Sequence, residues 1–242
     1  MKIEPDNDIW EMEDFGMEAD ELNDCFDFDA DFDIAESESR FIKPKLTKAI
    51  LVKWINAISA AKEIEIKPGL CYFGIIHGNF IFGDLLEAIL TKKMLQAARV
   101  DISTLSLSQD NVDSLRTLIE KNYIKELNLI VSAYFYAHER NVLIKYLHKE
   151  LDINNKFQLA VIRTHTKIMT VDLGNIKLVI HGSANLRSSA NIEQIMIQDS
   201  PEIFNFVTEM NNRVLSKYQT INKEKSNKLW QTVQNEKKEP QN

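Results

Sequence analysis

Through the middle of this chain apolar residues recur at two spacings. Runs of continuous or alternating apolar residues take turns with segments in which they return every three or four positions, the patterns of strand and helix. Residues 70–82, 100–107 and 127–136 read as strands, and residues 84–97, 110–121 and 141–151 as helices. The second helix gathers Val112, Leu115, Leu118 and Ile119 on one face, and the third Val142, Leu143, Tyr146 and Leu147. Ahead of them, residues 47–63 open on Thr47, a suitable N-cap, and carry apolar positions at helical spacing, which predicts a packing or dimer helix. Pro68-Gly69 marks a turn, and Gly74 and Gly78 permit a close approach or a bend in the strand that follows.

The stretch from 161 to 198 concentrates the chemistry. Residues 161–172 and the run from Ile176 are both β-branched, and Leu173-Gly174-Asn175 separates them, so an antiparallel hairpin is expected. Side-chain alternation in a strand would put Arg163, His165 and Lys167 on one face, and Ile162, Thr164, Thr166 and Ile168 on the other. The return strand ends in Gly182-Ser183-Ala184-Asn185, a small polar turn that offers a hydroxyl, an amide and backbone N–H groups to the same histidine. That inventory suits a phosphate. After Ile197, Ser200-Pro201 opens a helix with Ile203, Phe204, Val207, Met210 and Val214 apolar. The whole alternation predicts an α/β fold: a mixed sheet flanked by helices on both faces.

Charge changes the picture. The net charge of −7 hides a split: residues 1–39 hold sixteen Asp or Glu and one Lys, whereas residues 40–242 hold twenty acids and twenty-eight Lys or Arg. The body is therefore basic, a balance that attracts polyanions. Three regions follow: an acidic leader at 1–39 expected to be disordered alone, a domain at 40–218, and a polar tail at 219–242 with Trp230 as an anchor. In the leader, acids interleave with Trp10, Phe15, Phe26, Phe28 and Phe32. It reads as a solubilising tail or a protein-docking segment, or, more sharply, as an imitation of single-stranded nucleic acid that occupies the chain's own basic groove. No apolar run is long enough to span a membrane and the N-terminus is acidic, so a soluble, unexported, cytoplasmic protein with no membrane partner is expected. Cys25 and Cys71 have no disulfide or metal spacing, and the five histidines form no zinc pattern.

His165-Thr-Lys167, then four residues and Asp172, the Gly182-Ser183-Ala184-Asn185 element and Glu193 together resemble the signature of the phospholipase D superfamily. One copy is present. His77-Gly78-Asn79 is followed by no lysine at the needed offset, so the likeness is to the single-motif nuclease branch, whose members pair two chains into one active site. The resemblance implies a phospholipase D-like fold with one motif per chain, and a homodimeric phosphodiesterase that needs neither metal nor cofactor. It also implies residue roles: His165 as the nucleophile, Lys167, Asn185 and Ser183 on the phosphate oxygens, and Glu193 orienting the imidazole of its own or the facing protomer. Asp172 would stabilise the local structure or the dimer seam. Arg163, from strand parity, and Arg187, just past the turn, are candidate substrate-binding cations, each against an ordinary solvated role. His181 matches no position of the signature and is expected to pack. His77, His138 and His148 lack partners in sequence, and Asn191 is a candidate buttress for the Glu193 segment.

Two function classes remain open on these residues. One is a metal-independent nuclease of DNA or RNA working through a phosphohistidine. The other is a catalytically idle protein of the same fold that binds nucleic acid as an accessory of a mobile element or virus, a reading motivated by the long interval between Asp172 and Gly182.

Overall fold

The computed structural model describes residues 49–54, 56–76, 80–187 and 191–219. The acidic leader, Thr47, His77-Gly78-Asn79 and the tail beyond Gln219 lie outside the described residues. Eight strands form one mixed sheet: β1 Ala49–Trp54, β2 Cys71–Ile76, β3 Arg99–Thr104, β4 Leu127–Ser132, β5 Phe157–Ile162, β6 Ile168–Asp172, β7 Lys177–Gly182 and β8 Glu193–Asp199, in the order β1-β2-β8-β7-β6-β3-β4-β5. β1 runs parallel to β2, and β3, β4 and β5 are mutually parallel; β8, β7 and β6 join the two groups through antiparallel pairs.

Among the described residues six helices accompany the sheet: α1 Ala57–Glu63, α2 Phe82–Lys92, α3 Gln109–Glu120, α4 Ala133–Glu139, α5 Leu143–Leu151 and α6 Pro201–Tyr218. The crossovers β1-α1-β2, β3-α3-β4 and β4-α5-β5 step in the same direction across the sheet. Right-handed connections therefore place α1, α3 and α5 on one face, with α2 packed against α1 and α3. Helix α6 covers the opposite face over β5, β6 and β7. Buried Asp101 of β3 fixes it there. Its carboxylate accepts from Arg99 at 2.7 Å, from Asn128 at 2.9 Å and from Asn211 of α6 at 3.4 Å, and Arg99 also reaches Asn212 at 2.6 Å. A buried carboxylate is tolerable only when so fully partnered.

Helices thus lie on both faces of a mixed sheet, as the alternation predicts, while several boundaries differ. The helix expected over 47–63 is instead a strand and a short helix: Ile50, Leu51 and Val52 form an extended β-rich run, and Asn56 starts α1 by accepting the Ser59 N–H at 2.8 Å. The strand expected over 127–136 ends at Ser132, whose hydroxyl caps α4 through the Phe135 N–H at 3.0 Å. The strand expected over 70–82 ends at Ile76, α2 begins at Phe82, and that helix stops at Lys92 before Met94 turns left-handed at φ 54°.

The largest departure concerns the hairpin. Residues 161–172 are not one strand. β5 ends at Ile162 on the sheet edge, β6 begins at Ile168 beyond β4 and β3, and residues 163–167 cross the ends of those two strands. The hairpin itself is formed by β6 and β7 around Gly174, at φ 83°. Among the described residues, no helix is long and apolar enough to cross a membrane.

Candidate active site

The start of β6, the end of β7 and the start of β8 meet at one end of the sheet, because Ile168 pairs with His181 and Gly182 with Ile195. His165, Lys167, Ser183, Asn185 and Glu193 all belong to the segments emerging there. Strand parity does not arrange Arg163, His165 and Lys167, since residues 163–167 leave the sheet. The loop nevertheless brings the last two together. The Lys167 ammonium lies 3.0 Å from His165 Nδ1 and donates to the His165 carbonyl at 2.9 Å. An ammonium has no lone pair, so while charged it holds Nδ1 as an acceptor and leaves the proton of a neutral ring on Nε2. His165 is exposed and Lys167 half-buried. Burial lowers the Lys167 pKa, and the nearby Glu193 carboxylate opposes that shift.

Gly182 makes the other wall. Its Cα lies against the β8 backbone, and Ser183 and Gln194 exchange two hydrogen bonds: the Ser183 N–H donates to the Gln194 carbonyl, and the Gln194 N–H to the Ser183 hydroxyl, both at 3.1 Å. The Ser183 hydroxyl in turn donates to Glu193. Ser183, Glu193 and Lys167 are thereby linked around one spot, with His165 attached through Lys167. The Gly182 N–H donates to the Lys167 carbonyl at 3.2 Å, tying the two walls together. Asn185 is half-buried, and its Oδ1 is enclosed without a donor among the described atoms. The segment that bears it rests on α2, where the Gly83 N–H donates to the Leu186 carbonyl at 2.9 Å.

Asp172 lies elsewhere, at the opposite end of β6. Lys177 binds it at 2.5 Å and the Gly174 N–H at 2.9 Å. Burial pushes its pKa up, but Lys177, the Gly174 N–H and Arg99 together hold it below the ordinary value. The long interval between Asp172 and Gly182 is taken up by this hairpin, in which Asp172 faces Lys177, so the extra residues fall far from His165. Arg163 and Arg187 are exposed, one opening the histidine loop and the other following Leu186. His181 stands on the α6 face of β7, half-buried, with its pKa lowered by burial. His138 Nδ1 lies 2.8 Å from the Tyr134 carbonyl and its ring 4.1 Å from the Tyr134 ring; His148 sits edge-on to Phe157. Asn191 is exposed beside β8.

A chain of hydroxyls went unmarked by the signature. Ser103 Oγ of β3 lies 2.5 Å from Thr166 Oγ1, which lies 2.9 Å from Thr164 Oγ1. Serine 63 residues upstream of its partner leaves no signal in any local pattern.

No family model and no curated protein matches the sequence. Solved structures are similar in fold. A phospholipase D family member, Nuc from Salmonella typhimurium, is 14% identical over 61% of this chain and 96% of its own, with a TM-score of 0.46. NucT from Helicobacter pylori is 15% identical over 62% of this chain and 99% of its own, with a TM-score of 0.47. An archaeal chromatin protein is 15% identical over 68% of this chain, which spans 58% of that protein, with a TM-score of 0.42. Likeness at these levels concerns the fold, and the chemistry is read from this chain's own side chains.

Proposed function

We propose that this chain is a metal-independent, homodimeric phosphodiesterase that cleaves DNA or RNA through a phosphohistidine at His165. The observation that carries the reading is the Lys167 ammonium 3.0 Å from His165 Nδ1, at the sheet end that also holds the Ser183–Glu193 pair. An incoming phosphate draws Lys167 onto its oxygens, with Ser183 and Asn185 as further donors. With Lys167 drawn away, the ring proton passes from Nε2 to Nδ1 through water; a Glu193 carboxylate, from the same or the facing chain, accepts the Nδ1–H hydrogen bond, and Nε2 presents its lone pair. Nε2 attacks phosphorus and the P–O bond to the leaving group breaks, with a second histidine protonating the departing oxygen. Water, deprotonated by that same histidine, then attacks phosphorus; the P–N bond breaks and His165 is restored. Donors placed on the phosphoryl oxygens stabilise the charge that develops there, each worth on the order of a hundredfold or more.

Two features support the finer parts. The basic balance of residues 40–242 favours a polyanion. The dimer rests on the single signature and on exposed apolar side chains on the α6 side of the sheet. On the α6 side, register puts Ile168, His181, Met196, Phe73 and Leu51 in one row; Leu51 is 77% exposed, and Phe206 of the adjacent helix 47%. A second copy lying there would cover apolar surface beside the site and bring a second His165 towards the first.

The idle nucleic-acid-binding reading draws on one observation, that Glu193 is engaged by Ser183. Mixing wild-type and His165→Ala chains separates the two. Turnover that falls with the fraction of mixed dimers supports the paired site, and full activity in a strictly monomeric chain contradicts it.

A further inference from the structure

We infer that Ser103 and Thr166 are positioning residues for His165, forming with Thr164 a hydroxyl chain that fixes the backbone on which the imidazole stands. The inference rests on His165 being the reacting group. Residues 163–167 lie outside any strand, so no ladder of backbone bonds holds them. Two anchors do so instead. Below, Thr166 Oγ1 is 2.5 Å from Ser103 Oγ and 2.9 Å from Thr164 Oγ1. The Thr166 N–H also donates to Thr164 Oγ1 at 3.2 Å, closing a side-chain turn around residue 165. Beside this, the Lys167 carbonyl accepts the Gly182 N–H at 3.2 Å.

Ser103 gives the first anchor its rigidity. It is 2% exposed on β3, and its strand pairs with β6 on one side and β4 on the other. Thr166 reaches the sheet directly and Thr164 through Thr166, and the residue between them is the exposed His165. Among the described residues Lys167 is the hydrogen-bond partner of the His165 ring, and in the proposed reaction its ammonium leaves Nδ1 for the phosphate. During attack the hydroxyl chain is therefore what keeps Nε2 in line, and misplacing a reacting atom by about 1 Å costs on the order of a hundredfold in rate.

Thr166→Val keeps the shape and removes the hydroxyl, at an exposed position where folding is not at stake; Thr166→Ser restores the hydroxyl; Ser103→Ala cuts the chain from the other end. With bis(4-nitrophenyl) phosphate as substrate, Thr166→Val and Ser103→Ala should lower kcat by about thirtyfold with KM unchanged, and Thr166→Ser should stay within about threefold of wild type. The His165 Cε1–Hε1 NMR resonance reports its conformers without any turnover. It should be a single sharp line in wild type and Thr166→Ser, and broadened or doubled in the two hydroxyl-deleted variants. Wild-type kcat together with an unchanged resonance in both variants overturns the inference. A wild-type chain that cleaves nothing, but whose resonance splits in Thr166→Val, supports the anchor and contradicts the proposed reaction instead.

Discussion

Gly182 lies so close to Gln194 that a methyl group on its Cα would come within 2.2 Å of the Gln194 carbonyl oxygen. Both sides of that contact are backbone, in paired strands, so neither can give way cheaply. Glycine is required there for closeness, and its closeness lets Ser183 and Gln194 exchange their two hydrogen bonds. Gly182→Ala is expected to destabilise the chain by about 1–3 kcal/mol, as overpacking does, and to displace Ser183 from the site. Urea unfolding read beside turnover checks it, with activity falling even where the variant remains folded.

Lys167 gives the reaction a pH limit. Burial lowers its pKa from the ordinary lysine value, with Glu193 opposing. Its charge, needed on the phosphate, is lost as pH rises through the folded-state value. The alkaline limb of kcat/KM should therefore lie below the range of an ordinary lysine, and Glu193→Gln, which removes the opposing carboxylate, should move it lower still. Lys167→Ala should abolish the limb along with about a hundredfold or more of the rate.

His181 makes stability fall on the acid side. Burial lowers its pKa below that of an ordinary histidine, so on acidification the unfolded chain takes up a proton before the folded one. The associated stability is fully present above the unfolded value and is lost as pH falls through it towards the folded value. Stability measured by denaturant between neutral pH and about pH 5 should decline less steeply in His181→Gln than in wild type.

The residues that could be read from the sequence are those whose signal is local. α3 and α6 were legible because their apolar residues repeat at helical spacing, and α6 also because Ser200 stands ahead of it and accepts the Ile203 N–H; the structure adds Ser108, which accepts the Asn111 N–H, as the cap of α3. The candidate residues His165, Lys167, Ser183 and Glu193 were singled out by their resemblance to one signature, and the structure brings them to one end of the sheet. The site's geometry was not legible. Whether residues 161–172 form one strand depends on β6 pairing with β3 while β5 pairs with β4, a choice made by strands about thirty and about seventy residues upstream and by no feature of the segment itself. The same non-local order puts β8 between β2 and β7 and brings Ser103 beneath Thr166. β1 was misread for a different reason: in a short apolar run such as Ala49–Trp54, helical and extended spacing coincide, and pairing with β2 decides between them.

The acidic leader is expected to compete with substrate for the basic body. Residues 1–39 carry sixteen acids against one lysine, with aromatic rings between them, a pattern of charge and stacking surfaces like that of a nucleic-acid strand. Deleting them should tighten nucleic-acid binding most at low salt, the gain shrinking as the Debye length falls from about 30 Å at 0.01 M towards 8 Å at 0.15 M. Equal affinities for the two forms across a salt series would leave the leader a solubilising or partner-docking role.

The central claim is that His165 attacks a phosphodiester without a metal, and rapid acid-stage quenching is the wrong probe for so labile a bond. Alkaline quenching of the protein mixed with 32P-labelled DNA or RNA in EDTA, followed by peptide mapping, reads it directly. Cleavage should persist in EDTA and a label should be retained on His165 through alkali, both being lost in His165→Ala. Cleavage that stops in EDTA and returns with magnesium, or nucleic acid bound by the folded chain and never cut, would contradict it.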